Sequence, residues 1–171
     1  MEIIQDRLKK NLQNLCTNYG TFKLSSGRES NYYIDCRKGF GDPIIYGQIK
    51  VLLIRALDRF MPQQVGGPAI GAVTLVGMAV NDGYNGFYVR KEPKEYGLGR
   101  QIEGMYNPEF ETVLVDEIIT TGANIRLVMD IINKDKIMAL ICIVNRSGLD
   151  NVDGVPIISI FKEEDLLEDP S

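Results

Sequence analysis

Asp116 and Glu117 are adjacent carboxylates at the end of the apolar run Val113-Leu114-Val115, and two residues later comes Thr120-Thr121-Gly122-Ala123-Asn124. A strand that ends in two acids and runs through a small, hydroxyl-rich turn into the amphipathic stretch Ile125 to Ile132 offers an anion backbone N–H groups and a helix N-terminus. Two carboxylates beside such a turn suit a ligand that carries hydroxyls as well as phosphate, and a ribose phosphate has both. Each part alone also fits plain structure, because an acidic pair after a strand is often a solvated loop and Thr-Gly is a common helix entry.

Four cations lie within Arg90-Lys91-Glu92-Pro93-Lys94-Glu95-Tyr96-Gly97-Leu98-Gly99-Arg100, in a chain of net charge −4. Pro and Gly prevent a regular helix there. Such a loop is usually solvated surface. Beside the acidic pair its lysines and arginines would neutralise a diphosphate, arginine bidentately, and closure of the loop would exclude water. Three further segments are weaker alone: the hairpin pattern Phe22 to Asp35, the small-residue turn Gly67-Pro68-Ala69-Ile70-Gly71, and Val144-Asn145-Arg146-Ser147-Gly148.

Composition excludes much other chemistry. The chain has no histidine, so Ser-His-Asp and Cys-His catalysis and His-ligated metals are ruled out. Cys16, Cys36 and Cys142 are scattered and odd in number, which points to core thiols and a reducing cytoplasm rather than a disulfide framework. The acidic balance argues against a nucleic-acid partner. No apolar run approaches membrane-spanning length, and the first residues lack the pattern of a secretory signal.

The elements that must position these groups follow from periodicity. At 171 residues, 44% of them hydrophobic, the chain reads as one domain, residues 1–171, with 1–40 contributing a small hood. Ile4, Leu8, Leu12 and Leu15 predict a first helix ending near Tyr19-Gly20. Short strands are expected at Thr21 to Leu24 and Tyr32 to Cys36, and a helix from Pro43 with Ile49, Leu52, Leu53, Ala56 and Phe60 inward. A strand closes at Val65 to Pro68, a buried helix covers Ala69 to Val80, a strand runs Gly86 to Val89, and residues 91–104 form a loop. Then come a strand at 112–115, a helix at 124–134, and strands at 137–144 and 155–160. The acidic tail from Lys162 to Ser171 reads as a solvated terminal turn. Alternating strands and helices predict an α/β fold, a mostly parallel sheet with helices on both faces. Its ligands belong at the carboxyl ends of the strands.

The acidic-pair string resembles the phosphoribosyl-diphosphate (PRPP) signature of the type I phosphoribosyltransferases. All five segments together, from about Tyr19 to Gly148, resemble the orotate phosphoribosyltransferases. The resemblance implies their fold and reaction: PRPP and orotate give orotidine 5′-monophosphate and diphosphate, in pyrimidine synthesis. It implies that Asp116 and Glu117 hold the ribose hydroxyls, that Thr120, Thr121, Gly122, Ala123 and Asn124 wrap the 5′-phosphate, and that Ile118 and Ile119 belong to the same PRPP site. Arg90, Lys91, Lys94 and Tyr96 would meet the diphosphate, with Pro68, Ala69, Ile70 and Gly71 against it. Tyr33, Ile34, Thr120 and Arg146 would meet orotate. Catalysis would rest on Lys94, Arg90, Asp116 and Glu117. Mg²⁺ would be held through substrate and water, and a homodimer would place the 91–104 loop in the neighbouring site.

Two other readings are a related transferase using a purine or another pyrimidine, and a PRPP- or nucleotide-sensing regulator without turnover. The Tyr32-Tyr33 hairpin disfavours the first. The roughly twenty residues ahead of the hairpin leave no room for the helix-turn-helix module that such regulators usually add. The chain departs from the family's usual pattern at Glu117 (Asp), Asn124 (a small residue), Tyr96 (His), and at Ser25 and Gly71, where some members carry Lys. Tyrosine is a poor acid at neutral pH. The chain is therefore expected to be active with a changed rate or pH profile, and Tyr96→His to alter the rate or its pH dependence. A profile of kcat against pH reads both, and no change in either would remove position 96 from the chemistry.

Overall fold

The computed structural model describes residues 2–23, 29–93 and 99–167. Helix α1 (Glu2–Cys16) buries Leu8, Leu12 and Cys16 along one stripe. It ends at Cys16, short of Tyr19-Gly20, because Thr17 already pairs with Ile34 in an antiparallel ladder between β1 (Thr17–Lys23) and β2 (Glu29–Ile34). These two strands form a sheet of their own. The second strand expected at Tyr32 to Cys36 stops at Ile34, because Asp35 caps a helix the periodicity did not predict, α2 (Cys36–Phe40), its side chain accepting from the Lys38 N–H. Helix α3 (Pro43–Asp58) starts at the expected proline, with Asp42 Oδ1 accepting from Ile44 and Ile45. It buries Ile45, Ile49, Leu52, Leu53 and Leu57.

The second sheet is built from β3 (Gln64–Pro68), β4 (Asn85–Val89), β5 (Ile102–Gly104), β6 (Thr112–Ile119), β7 (Ile137–Asn145), β8 (Asn151–Val152) and β9 (Val155–Lys162), in the order β5-β4-β3-β6-β7-β9-β8. The five central strands are parallel, and the short outer strands β5 and β8 are antiparallel to their neighbours. Side chains alternate across the sheet. Val113, Val115, Ala139, Ile141 and Ile143 face α1, α3 and α4 (Val73–Asn81). Leu114, Leu140 and Cys142 face α5 (Ala123–Met129). Helices thus cover both faces, as the alternating pattern predicts. All three cysteines are buried and free. Among the described residues no helix is long and apolar enough to cross a membrane.

Several boundaries differ from the sequence reading, each for a local reason. Helix α4 begins at Val73 rather than Ala69, because the Ala69 N–H bonds Val89 O at 2.8 Å and continues the sheet ladder. Strand β6 runs four residues past Val115, because its pairing with β7 continues to Ile119↔Asn145. Helix α5 stops at Met129, and one 3-10 turn, Lys134–Lys136, follows. Asn133 anchors that turn: its N–H donates to the Tyr106 hydroxyl and its side chain to Pro108 O. The described part of the tail, residues 162–167, is not a solvated turn, and 168–171 lie outside the described residues. Helix α6 (Glu163–Leu166) follows β9 directly, and Leu166 is fully buried.

The sheet is dense where β3 crosses β4. A Cβ at Gly66 would lie 2.2 Å from the Phe87 ring. Gly66→Ala is expected to lower the unfolding free energy by about 1–3 kcal/mol, read as a reduced urea midpoint with unchanged slope.

Candidate functional site

The carboxyl ends of β3 and β6 bring the acidic pair and the small-residue turn together. Asp116 is 5% exposed, and its Oδ1 accepts the Glu117 N–H at 2.9 Å. A Cβ at Gly71 would stand 2.6 Å from Asp116 Oδ1 and 3.1 Å from Glu117 Oε2. Any side chain there would push into both carboxylates, so the turn lies against them because position 71 has none. Glu117 Oε2 is buried and has no hydrogen-bond partner. Its other oxygen is held by Arg37 Nε at 3.2 Å.

Arg37 was not among the residues singled out by sequence. It lies in α2, three residues past Ile34, and its charge also faces Tyr33. The available signal was a cation close behind a tyrosine-rich strand. Burial pushes the Asp116 carboxyl up to about 7, with the neighbouring Glu117 charge adding to the rise and Arg37 opposing it. Glu117 is raised by burial and lowered by Arg37. The pair is short of positive charge and of hydrogen-bond donors. A polyhydroxylated ligand supplies donors.

Beside the pair, Asp116 and residues 118–125 line a cavity of about 90 Å³. Gly122 has φ +75°, which favours glycine, and turns the chain into α5. Arg126 Nη1 donates to Thr121 O at 2.8 Å and its Nε pairs with Asp153 at 3.0 Å, bracing the loop from below. Thr120, Thr121, Ala123 and Asn124 therefore line this cavity beside the acidic pair. Ile119 is buried and Ile118 half-buried against the core, so both face the cavity chiefly by backbone.

Of the residues expected at the base, Tyr33 is half-buried and stands 5.7 Å from the Phe22 ring. Ile34 is 1% exposed, which leaves its backbone rather than its side chain for a ligand. Arg146 follows β7, and its N–H donates to Ile119 O at 2.8 Å, one residue before Thr120. Its guanidinium is engaged by Glu163 and Tyr32. Glu163 was missed because it sits in a run of acids that reads as solvent-facing.

The charged loop leaves the sheet between β4 and β5. Arg90 N–H donates to Gln101 O, and its guanidinium stands 3.9 Å from Glu103. Lys91 is exposed. Lys94, Tyr96 and Ser25 lie outside the described residues.

No family model matches the chain. Among curated relatives, the orotate phosphoribosyltransferase of Rhodopirellula baltica is 40% identical over 117 residues, 61% of each chain. The orotate phosphoribosyltransferase of Thermococcus gammatolerans is 32% identical over 176 residues, covering 96% of this chain and 92% of the relative. Among solved structures, a phosphoribosyltransferase from Corynebacterium diphtheriae aligns with TM-score 0.81 at 23% identity, over 96% of this chain and 98% of the other. That last likeness concerns the fold alone.

The raised Asp116 carboxyl makes stability depend on pH. Below about pH 4 both folded and unfolded chains hold its proton; from there to about pH 7 only the folded chain does, so stability falls as pH rises across that window. Asp116→Asn removes the fall. At pH 8 the variant is expected to be more stable than wild type by roughly 1–4 kcal/mol, and at pH 3 about equal, in denaturant melts at the two pH values.

Proposed function

We propose how this chain, which belongs to the orotate phosphoribosyltransferase family and has the type I phosphoribosyltransferase fold, carries out transfer of 5-phosphoribosyl from PRPP to orotate. The observation that carries the assignment of roles is the buried acidic pair packed against the 67–71 turn at the rim of the 118–125 cavity. In support of the reading, the 67–71 turn packs against both carboxylates and Asp116 also lines the 118–125 cavity.

In this reading Thr120 to Asn124 hold the 5′-phosphate with N–H and hydroxyl donors, and Asp116 and Glu117 accept from the ribose hydroxyls. The orotate nitrogen attacks the anomeric carbon as the bond to diphosphate breaks. Positive charge grows on the ribose, and the buried carboxylates favour it strongly because little water screens them. Negative charge grows on the diphosphate, which Arg90, Lys91 and Lys94 offset, with Tyr96 donating a hydrogen bond. Pro68, Ala69, Ile70 and Gly71 let the diphosphate approach the backbone. Tyr33, the Ile34 backbone, Thr120 and Arg146 orient the ring. Arg37 keeps Glu117 ionised between turnovers. No protein nucleophile is needed.

Mg²⁺ fits this donor set. Among the described residues no three His, Cys, Asp or Glu side chains cluster to cage a metal, while the unpartnered Glu117 Oε2 leaves an acceptor facing the turn. An ion that keeps most of its water and binds substrate phosphates suits such a site. When bound it would lower the charge on the departing diphosphate, with Asp116 and Glu117 meeting its water. The free cysteines fit a cytoplasmic enzyme.

Purified protein with PRPP, Mg²⁺ and orotate is expected to release diphosphate, and uracil, adenine or hypoxanthine in its place is not. Release with another base alone would overturn the ring assignments. The loop of 91–104 acts, in this reading, on the partner subunit's site. Lys94→Ala and Asp116→Asn should each be inactive, yet mixing and reassociating them should restore roughly a quarter of wild-type activity, since half the dimers then carry one intact site. A mixture as silent as its parts would place the loop in its own subunit.

A further inference from the structure

Arg146 borders a second cavity, about 390 Å³, shared with Lys162, Glu163, Glu164 and residues 147–150. Its side chain is only 9% exposed, so its charge requires partners. Two partners hold one edge of the guanidinium: Nε donates to Glu163 Oε1 at 2.6 Å, and Nη2 donates to the Tyr32 hydroxyl oxygen at 3.1 Å. The Tyr32 hydroxyl itself donates to the same Glu163 oxygen. The guanidinium carbon lies 4.9 Å from the centre of the Tyr32 ring. Nε and Nη2 share one side of the planar fork, so the donors of Nη1 and the second hydrogen of Nη2 are left for something else. Among the described residues Nη1 has no hydrogen-bond partner.

Glu163 is itself anchored. It opens α6 directly after β9, where the Lys162 N–H donates to Asp165 Oδ2 at 2.8 Å. Leu166, one turn on, is sealed in the main core. Gln5 of α1 donates to Ile160 O at 3.0 Å and fastens the end of β9. A carboxylate held this way is a fixed reference point, unlike a surface counter-charge that moves with its partner.

We propose that Glu163, together with Tyr32, is a positioning residue for the base: it fixes the Nε edge of Arg146 so that the free edge of the guanidinium meets the acidic edge of the pyrimidine. The proposal rests on the orotate reading above. The fork then reaches the ligand already oriented, without losing rotamer freedom on binding. The guanidinium gives charge-assisted hydrogen bonds to any ring oxygen, and a carboxylate-bearing ring adds the attraction of opposite charges and a bidentate fit to the free edge. Tyr32 belongs to the hairpin whose next residue, Tyr33, is assigned to the ring, so one hydroxyl couples hood, β7 and α6.

Diphosphate release in wild type, Glu163→Ala, Glu163→Gln and Tyr32→Phe, with orotate and PRPP varied separately, tests this. Glu163→Ala should raise the KM for orotate about tenfold, equivalent to ~1.4 kcal/mol, with the KM for PRPP little changed and the melting temperature lowered, because Arg146 loses its buried counter-charge. Glu163→Gln, which keeps an oxygen acceptor for Nε, should restore most of the loss. Tyr32→Phe, on another element, should shift the orotate KM the same way by a smaller factor, and it decides the matter if Glu163→Ala does not fold. An active wild type whose variants keep the orotate KM, or raise both KM values in parallel, overturns the clamp alone. A wild type silent with orotate overturns the orotate reading, and the clamp with it.

Discussion

Two neighbouring carboxylates at the covered end of a central strand are the constraint around which the rest is arranged. Desolvation disfavours their charged forms, and Asp116, 5% exposed, retains its proton to about pH 7 for that reason. A fold tolerates such a pair only if neighbouring groups keep it partly ionised without neutralising it for good. Here one arginine reaches one oxygen of Glu117 and leaves the other bare. The unmet demand is the site's capacity: hydroxyl donors and developing positive charge are what it lacks. The poor screening that makes the pair costly at rest would equally strengthen its attraction for any positive charge brought beside it.

The sheet supplies the closeness. Because β3, β4 and β6 are parallel and in register, their carboxyl ends emerge on one edge, and the loops leaving them meet without any long connection. The 67–71 turn lies against the acids only because position 71 has no side chain. Arg37, entering from α2, supplies positive charge from a different direction.

The β1-β2 hairpin is joined to the larger sheet at a second charged contact. Arg146, Tyr32 and Glu163 come from the end of β7, from the hairpin and from the C-terminal helix, three segments far apart in sequence. Their contact ties the hairpin to the end of β7 and to α6. The acidic residue that does this sits in a stretch whose composition suggests only solvent.

What the sequence by itself determined was whatever depends on neighbours along the chain. The apolar runs at 64–68, 112–115 and 137–144 announce buried parallel strands, Asp42-Pro43 announces a helix start, and the acidic pair before Thr-Thr-Gly announces the anion turn. Each is a local preference of backbone or burial, so it is legible in a line of residues. Only the tertiary structure decided how far β6 runs, because its last four residues are held by β7 and not by their own propensity. The start of α4 was likewise settled by a carbonyl on β4. Arg37 and Glu163 were invisible for the same reason: a charge acquires a role from the group it faces, and these two face Glu117 and Arg146 across 80 and 17 positions of chain. Sequence order records which residues are adjacent along the backbone; the desolvated contacts that give charges their purpose exist only once the sheet has brought distant strand ends together.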